Sequence, residues 1–123
     1  MNDHIDEIYK TYSMKEKEKL SELSHFIKEE AKNLNIELST SLKWGQLTFS
    51  SKTGTPIRID RFSEDQVALF VHCQTTLVEE WREMFSDVLC FSKNRAILFE
   101  TASDLPKEEL KICIQMALTY KKK

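Results

Sequence analysis

The apolar residues of this chain change period near Ile36, and that switch limits its fold more than any other feature. Upstream, Leu20, Leu23, Ile27, Ala31 and Leu34 recur at three- and four-residue steps, the stripe of a helix with one buried face. Downstream, Leu47 and Phe49 alternate with polar residues, and Ile57 and Ile59 alternate with Arg58 and Asp60, as in strands with one covered face. The stretch "QVALFVHC", Gln66 to Cys73, is apolar at nearly every position, which suits a central strand. Helical stripes return towards the end of the chain. The order predicts an α+β fold: an antiparallel sheet of about five strands packed by N-terminal and C-terminal helices.

Local signals place the elements. Ile5, Ile8, Tyr9 and Tyr12 fall at helical spacing and predict a short first helix. Ser13-Met14-Lys15-Glu16 has the spacing of a capping box for a second helix, which should end between Asn33 and Asn35. A turn at Gly45-Gln46 separates Leu42 and Trp44 from Leu47 and Phe49, and "SSKTGTP" is turn chemistry. "VLCFSKNRAILFE" gives one or two strands with a break near Lys93-Asn94. Thr76-Leu77-Val78-Glu79 reads as a second capping box, opening a helix that carries Leu77, Trp81 and Phe85. Pro106 takes the favoured first position of a last helix, which presents Leu110, Cys113, Ile114, Ala117 and Leu118 on one side. With two glycines, two prolines and no linker composition, residues 1–123 read as a single domain.

Charge and cysteine usage exclude several classes. A net charge of −2 gives no general attraction to nucleic acid or to an anionic membrane. No apolar run approaches the ~20 residues that span a bilayer, and the polar, acidic start is unlike a secretory signal; the expected location is cytoplasmic. Cys73, Cys90 and Cys113 lie far apart with no CxxC pair, which argues against a disulfide framework or a structural zinc site. They are expected to be reduced, mostly buried, structural thiols.

Reactive motifs are scarce. "KTGTPIRID" lacks the spacing of a phosphate loop, and no GxSxG, HExxH or EF-hand pattern occurs. No nucleophile–base pair emerges, so a non-enzymatic binding module is the expectation. His4 and His25 have acidic neighbours, but the interleaved lysines make these ordinary charged surfaces. His72 and Cys73, adjacent on a strand, point to opposite faces and cannot share a ligand. Val67, Leu69, Val71 and Cys73 then form one face. If Ile57 and Ile59 join them, Arg58 and Asp60 must share the other face with Phe70 and His72. Such a mixture is poor core material. It suits a polar-lined pocket with apolar walls, bordered by Gln74, Asn94, Arg95 and the indole of Trp44, for a small ligand or a protein partner. The competing reading is an Arg58–Asp60 ion pair on a solvated sheet surface.

Five segments together resemble the YdhG-like family, a bacterial group of domains of unknown function. They are "SLKWGQLTF", "TPIRID", "VALFVHCQTTLVEEWREMF", "NRAILFE" and "DLPKEELKICIQMALTYK". They cover most of the chain after residue 40, in order; one departure is Leu47, where the family pattern has proline. The resemblance implies an antiparallel sheet packed by terminal helices. Some relatives are described as frataxin-like iron chaperones, so it also implies an alternative in which surface carboxylates bind iron; Asp3, Asp6, Glu7, Glu29 and Glu30 are the acids available. No cofactor is expected otherwise.

Overall fold

The computed structural model of the chain describes residues 5–43 and 45–122. Helix α1 (Ile5–Ile8) and the long α2 (Met14–Asn33) precede strands β1 (Ser39–Lys43), β2 (Gln46–Ser50), β3 (Ile57–Ser63) and β4 (Gln66–Phe70). Helix α3 (Leu77–Phe85) leads to β5 (Cys90–Ser92), β6 (Ala96–Glu100) and α4 (Lys107–Leu118), with a final 3-10 turn over Tyr120–Lys122. The strands form one antiparallel sheet in the order β1-β2-β3-β4-β6-β5. The α+β expectation holds, with six strands where about five were expected. The additional strand comes from "VLCFSKNRAILFE", which folds back on itself through Lys93, whose φ of 51° makes the tight turn.

One sheet face carries the core. Leu47, Phe49, Ile57, Ile59, Val67, Leu69, Ile97 and Phe99 cluster with Leu20, Leu23 and Ile27 of α2, with Trp81 of α3 and with Leu110, Cys113 and Ile114 of α4. Hydrophobic burial on this scale, about 25 cal/mol per Å² of apolar surface, is what holds helices to a sheet. Val71, just beyond β4, is also buried in this cluster, and its N–H donates to the Arg95 carbonyl. The face-sharing expected for Ile57, Ile59, Val67, Leu69 and Val71 is therefore the one observed.

Helix α2 opens as its sequence predicts. Ser13 is extended and its Oγ accepts from the Glu16 N–H at 3.2 Å, while the Ser13 N–H donates to Glu16 Oε1 at 2.9 Å. That strong start limits α1, which stops at Ile8 instead of continuing to Tyr12. The Tyr9 and Tyr12 side chains reach the sheet. The second capping box does not form. Thr76 has φ −90° and ψ 5°, outside the extended region that an N-cap requires, and its hydroxyl donates to Glu80 Oε2 at 2.7 Å. Pro106 stands immediately before α4, not within it. Gln46, expected in the β1–β2 turn, is already in β2, while Gly45 (φ 76°) belongs to the turn.

The cysteines also depart from expectation. Cys113 is buried in the core, and burial pushes its thiol up to about 12. Cys73 and Cys90 are exposed. The strand carrying Cys73 ends at Phe70, and His72 to Thr75 form a turn closed by the Thr75 N–H and hydroxyl on the His72 carbonyl. Cys73 thereby leaves the core face. Cys90 pairs with Leu98 at the short outer strand, on the face away from the core. Native thiol titration with an aromatic disulfide should therefore show two fast groups and a third that reacts only on unfolding. Three slow groups would contradict this arrangement.

Candidate ligand-binding face

The sheet's second face is built by alternation from the core face. Arg58 lies directly across from Thr48 on one side and Phe70 on the other, and Phe70 lies across from Ala96. A parallel row runs Asp60, Ala68, Leu98, Cys90. Ala68 and Ala96 are fully buried, yet neither belongs to the helix-packed core cluster, nor do the half-buried Phe70 and Leu98 pack against it. These side chains cover one another instead. Among the described residues, the helices bury their apolar sides against the opposite face. The face carries partly exposed Phe70, Leu98 and Arg58 around the small, buried Ala68 and Ala96. Cross-strand neighbours of this kind touch directly. Arg58 also takes part in an interaction within the chain.

Asp60, on the same face, is held by its cross-strand neighbour Gln46 and by the N-terminal segment. Its carboxylate accepts from the Tyr12 hydroxyl at 2.6 Å and from Gln46 Nε2 at 3.0 Å, and its Oδ1 also takes the Arg61 N–H at 2.7 Å. The Arg61 guanidinium stacks over the Tyr12 ring, 4.4 Å from its centroid, and lies 3.6 Å from Glu16. Burial, with the Asp60 carboxylate as hydrogen-bond acceptor and neighbouring negative charge, pushes the Tyr12 phenol up to about 12. Tyr9 stacks on Tyr12 with ring centroids 5.1 Å apart. Its hydroxyl accepts from the Leu47 N–H at 2.9 Å and donates to the Ile59 carbonyl at 2.5 Å. Desolvation raises the Tyr9 phenol far above its ordinary value, so both tyrosines stay neutral hydrogen-bonding groups. Sequence reading treated this pair only as a helical stripe. The signal that could have found them is the hydroxyl on each, since a buried tyrosine usually needs a polar partner.

The remaining candidates gather at the end of the sheet beyond Phe70. His72 is exposed and its Nδ1 accepts from the Gln74 N–H at 3.1 Å, in the same turn as the exposed Gln74. Asn94 and Arg95 are exposed in the β5–β6 turn. Asn94 Oδ1 accepts from Arg82 of α3 at 3.2 Å, and Arg82 also donates to the Lys93 carbonyl at 2.5 Å while lying over the Phe91 ring. The strand register thus brings Arg58 and Phe70 together, with His72, Gln74, Asn94 and Arg95 in the two turns that follow β4 and precede β6. Trp44 and Asp3 lie outside the described residues.

The carboxylates named for iron are spread and engaged. Asp6 is 3.2 Å from Lys17 Nζ. Glu7 lines a cleft together with Lys28. Glu29 is exposed, whereas Glu30 is buried and accepts from Gln115 Nε2 at 3.0 Å. Among the described residues, no three His, Cys, Asp or Glu side chains are grouped so as to hold a metal ion, and no helix is long and apolar enough to cross a membrane.

Fold and surface together define an α+β domain with a helix-free face on a six-stranded antiparallel sheet. No family model, curated protein or solved structure matches the chain.

Proposed function

We propose that the chain is a cytoplasmic, non-enzymatic binding module that receives a small ligand on its helix-free sheet face. The reading rests on one observation: Arg58 and Phe70 are direct cross-strand neighbours on a face that the core does not use. A guanidinium beside an aromatic ring suits a ligand with an acidic group and a flat apolar body. Leu98, two strands from Arg58 and partly exposed, extends the apolar side of that contact. The ordered resemblance to the YdhG-like domains agrees with this architecture. The frataxin-like alternative has less to support it, because Glu30 is turned to Gln115 and Asp6 to Lys17.

Native mass spectrometry of freshly purified protein is the first test, for a co-purifying small molecule. Amide chemical-shift mapping with benzoate as an acidic aromatic probe is the second. Shifts should centre on β3, β4 and β6. Arg58→Ala and Phe70→Ala should each weaken binding about tenfold, the size expected for losing one charge-assisted or aromatic contact. Both side chains are partly exposed and neither belongs to the core cluster, so the fold should persist. Shifts confined to other elements, or unchanged binding in both variants, would remove the proposal. A stoichiometric ferrous complex lost on replacing Glu29 and Glu30 would favour the iron reading instead.

A further inference from the structure

Strand β1 is an outer edge of the sheet, and all five of its residues are exposed. It pairs with β2 in continuous register from Ser39 to Lys43, without the shift that interrupts β3–β4. Edge strands are ordinarily blunted by proline, bulges, charge or shortness. The opposite edge, β5, is only three residues long. By contrast, β1 contains no proline, bulge or left-handed residue, and its only charge is Lys43. It also exposes an apolar side chain on the core side of the sheet: Leu42, across from the buried Leu47, is 57% exposed. Leu42 lines a cleft of about 560 Å³ with Ile8 and Leu47, which carries Glu7 and Lys28 as well.

We infer that β1 is the pairing edge for a second copy of this chain, joining two six-stranded sheets antiparallel into one. The sequence of the edge is self-complementary about Ser41. Two-fold pairing sets Leu42 against the partner's Thr40 and Lys43 against the partner's Ser39, so no like charges oppose each other. Both Leu42 side chains then lie on the same face, diagonal to one another, each closing over the cleft lined by Ile8 and Leu47. Pairing of one short strand buries a small area, which makes the association weak and concentration-dependent. This inference is independent of the ligand-binding face, which lies on the other side of the sheet.

Sedimentation velocity from about 1 µM to about 500 µM, the range that resolves a weak dimer, tests it on the full chain. The average mass should rise towards twice that of the monomer. Leu42→Lys should hold the chain monomeric throughout with unchanged circular dichroism, while Met84→Lys, at an exposed apolar residue of α3, and Phe70→Ala should dimerise normally. Hydrogen exchange should show Ser39–Lys43 amides more protected at the high concentration. A monomer at every concentration overturns the inference. So does a dimer that Leu42→Lys leaves intact, or one accompanied by no added protection in β1.

Discussion

Replacing Gly54 by alanine should lower stability by about 3 kcal/mol, at the upper end of what overpacking costs. The melting temperature should fall by roughly 10–15 °C for a chain of this size. The reason is distance rather than backbone conformation. A Cβ at Gly54 would sit 2.4 Å from the Ala117 carbonyl oxygen and 2.6 Å from that of Leu118, both backbone atoms at the end of α4. No flexible side chain can give way there. The loop is fixed to the helix end from both flanks: the Thr55 N–H donates to the Ala117 carbonyl at 3.0 Å, and Thr53 Oγ1 to the Leu118 carbonyl at 2.8 Å. Lys121 N–H returns to the Thr53 carbonyl at 2.8 Å. These contacts satisfy carbonyls that a helix C-terminus leaves without intrahelical partners. To relieve the clash, the loop must retreat and release them together. Thermal unfolding followed by far-UV circular dichroism checks the size of the loss, and a change under about 1 kcal/mol would show that the loop yields without losing its bonds.

Trp81→Ala should cost about 4 kcal/mol, whereas Trp81→Phe should cost about 1 kcal/mol. Trp81 is fully buried at the centre of α3's apolar side, among the largest side chains of the core. Truncation to alanine loses its transfer energy and leaves a cavity that packed neighbours fill only in part. Phenylalanine also loses volume, but it removes a liability. The Trp81 indole N–H is buried and finds no hydrogen-bond partner among the described residues, and an unmatched buried donor is destabilising by about 1–3 kcal/mol. Its deletion offsets much of the lost packing. Urea unfolding of the two variants against the parent measures the difference; equal losses would mean that the indole N–H is not a net burden.

What the sequence disclosed follows the range of each interaction. The Ser13–Glu16 box was legible because its partners are three residues apart and no other element competes for them. That Arg58 and Phe70 share a face was legible because alternation and one hairpin fix it, despite the register shift between Arg61 and Ser63; their direct pairing comes from the exact register. Thr76 misled because side-chain spacing says nothing of the backbone angles that a cap requires. Cys73 misled because apolar composition continues past the point where β4 loses its partner on β6, opposite Ala96. Gly54 was read as turn chemistry, and its real constraint comes from a helix more than sixty residues away. Asp60 lies on the face named for it, but its bond to Tyr12 was not legible, because it depends on the docking of the N-terminal segment.

The hydroxyl of Tyr9, wedged between Leu47 and Ile59, also sets an order of events in folding. At this point of the β2–β3 ladder the two strands do not complete their bonding through each other; the missing partner arrives from 38 residues before Leu47 and 50 before Ile59. Closing such loops carries an entropic penalty that grows with the logarithm of their length, and contacts of this separation slow folding. The hairpins β3–β4 and β5–β6 can zip from their own turns. The start of β2 cannot finish pairing until the N-terminal segment has docked, so the last part of the sheet to close is the part beside the pairing edge.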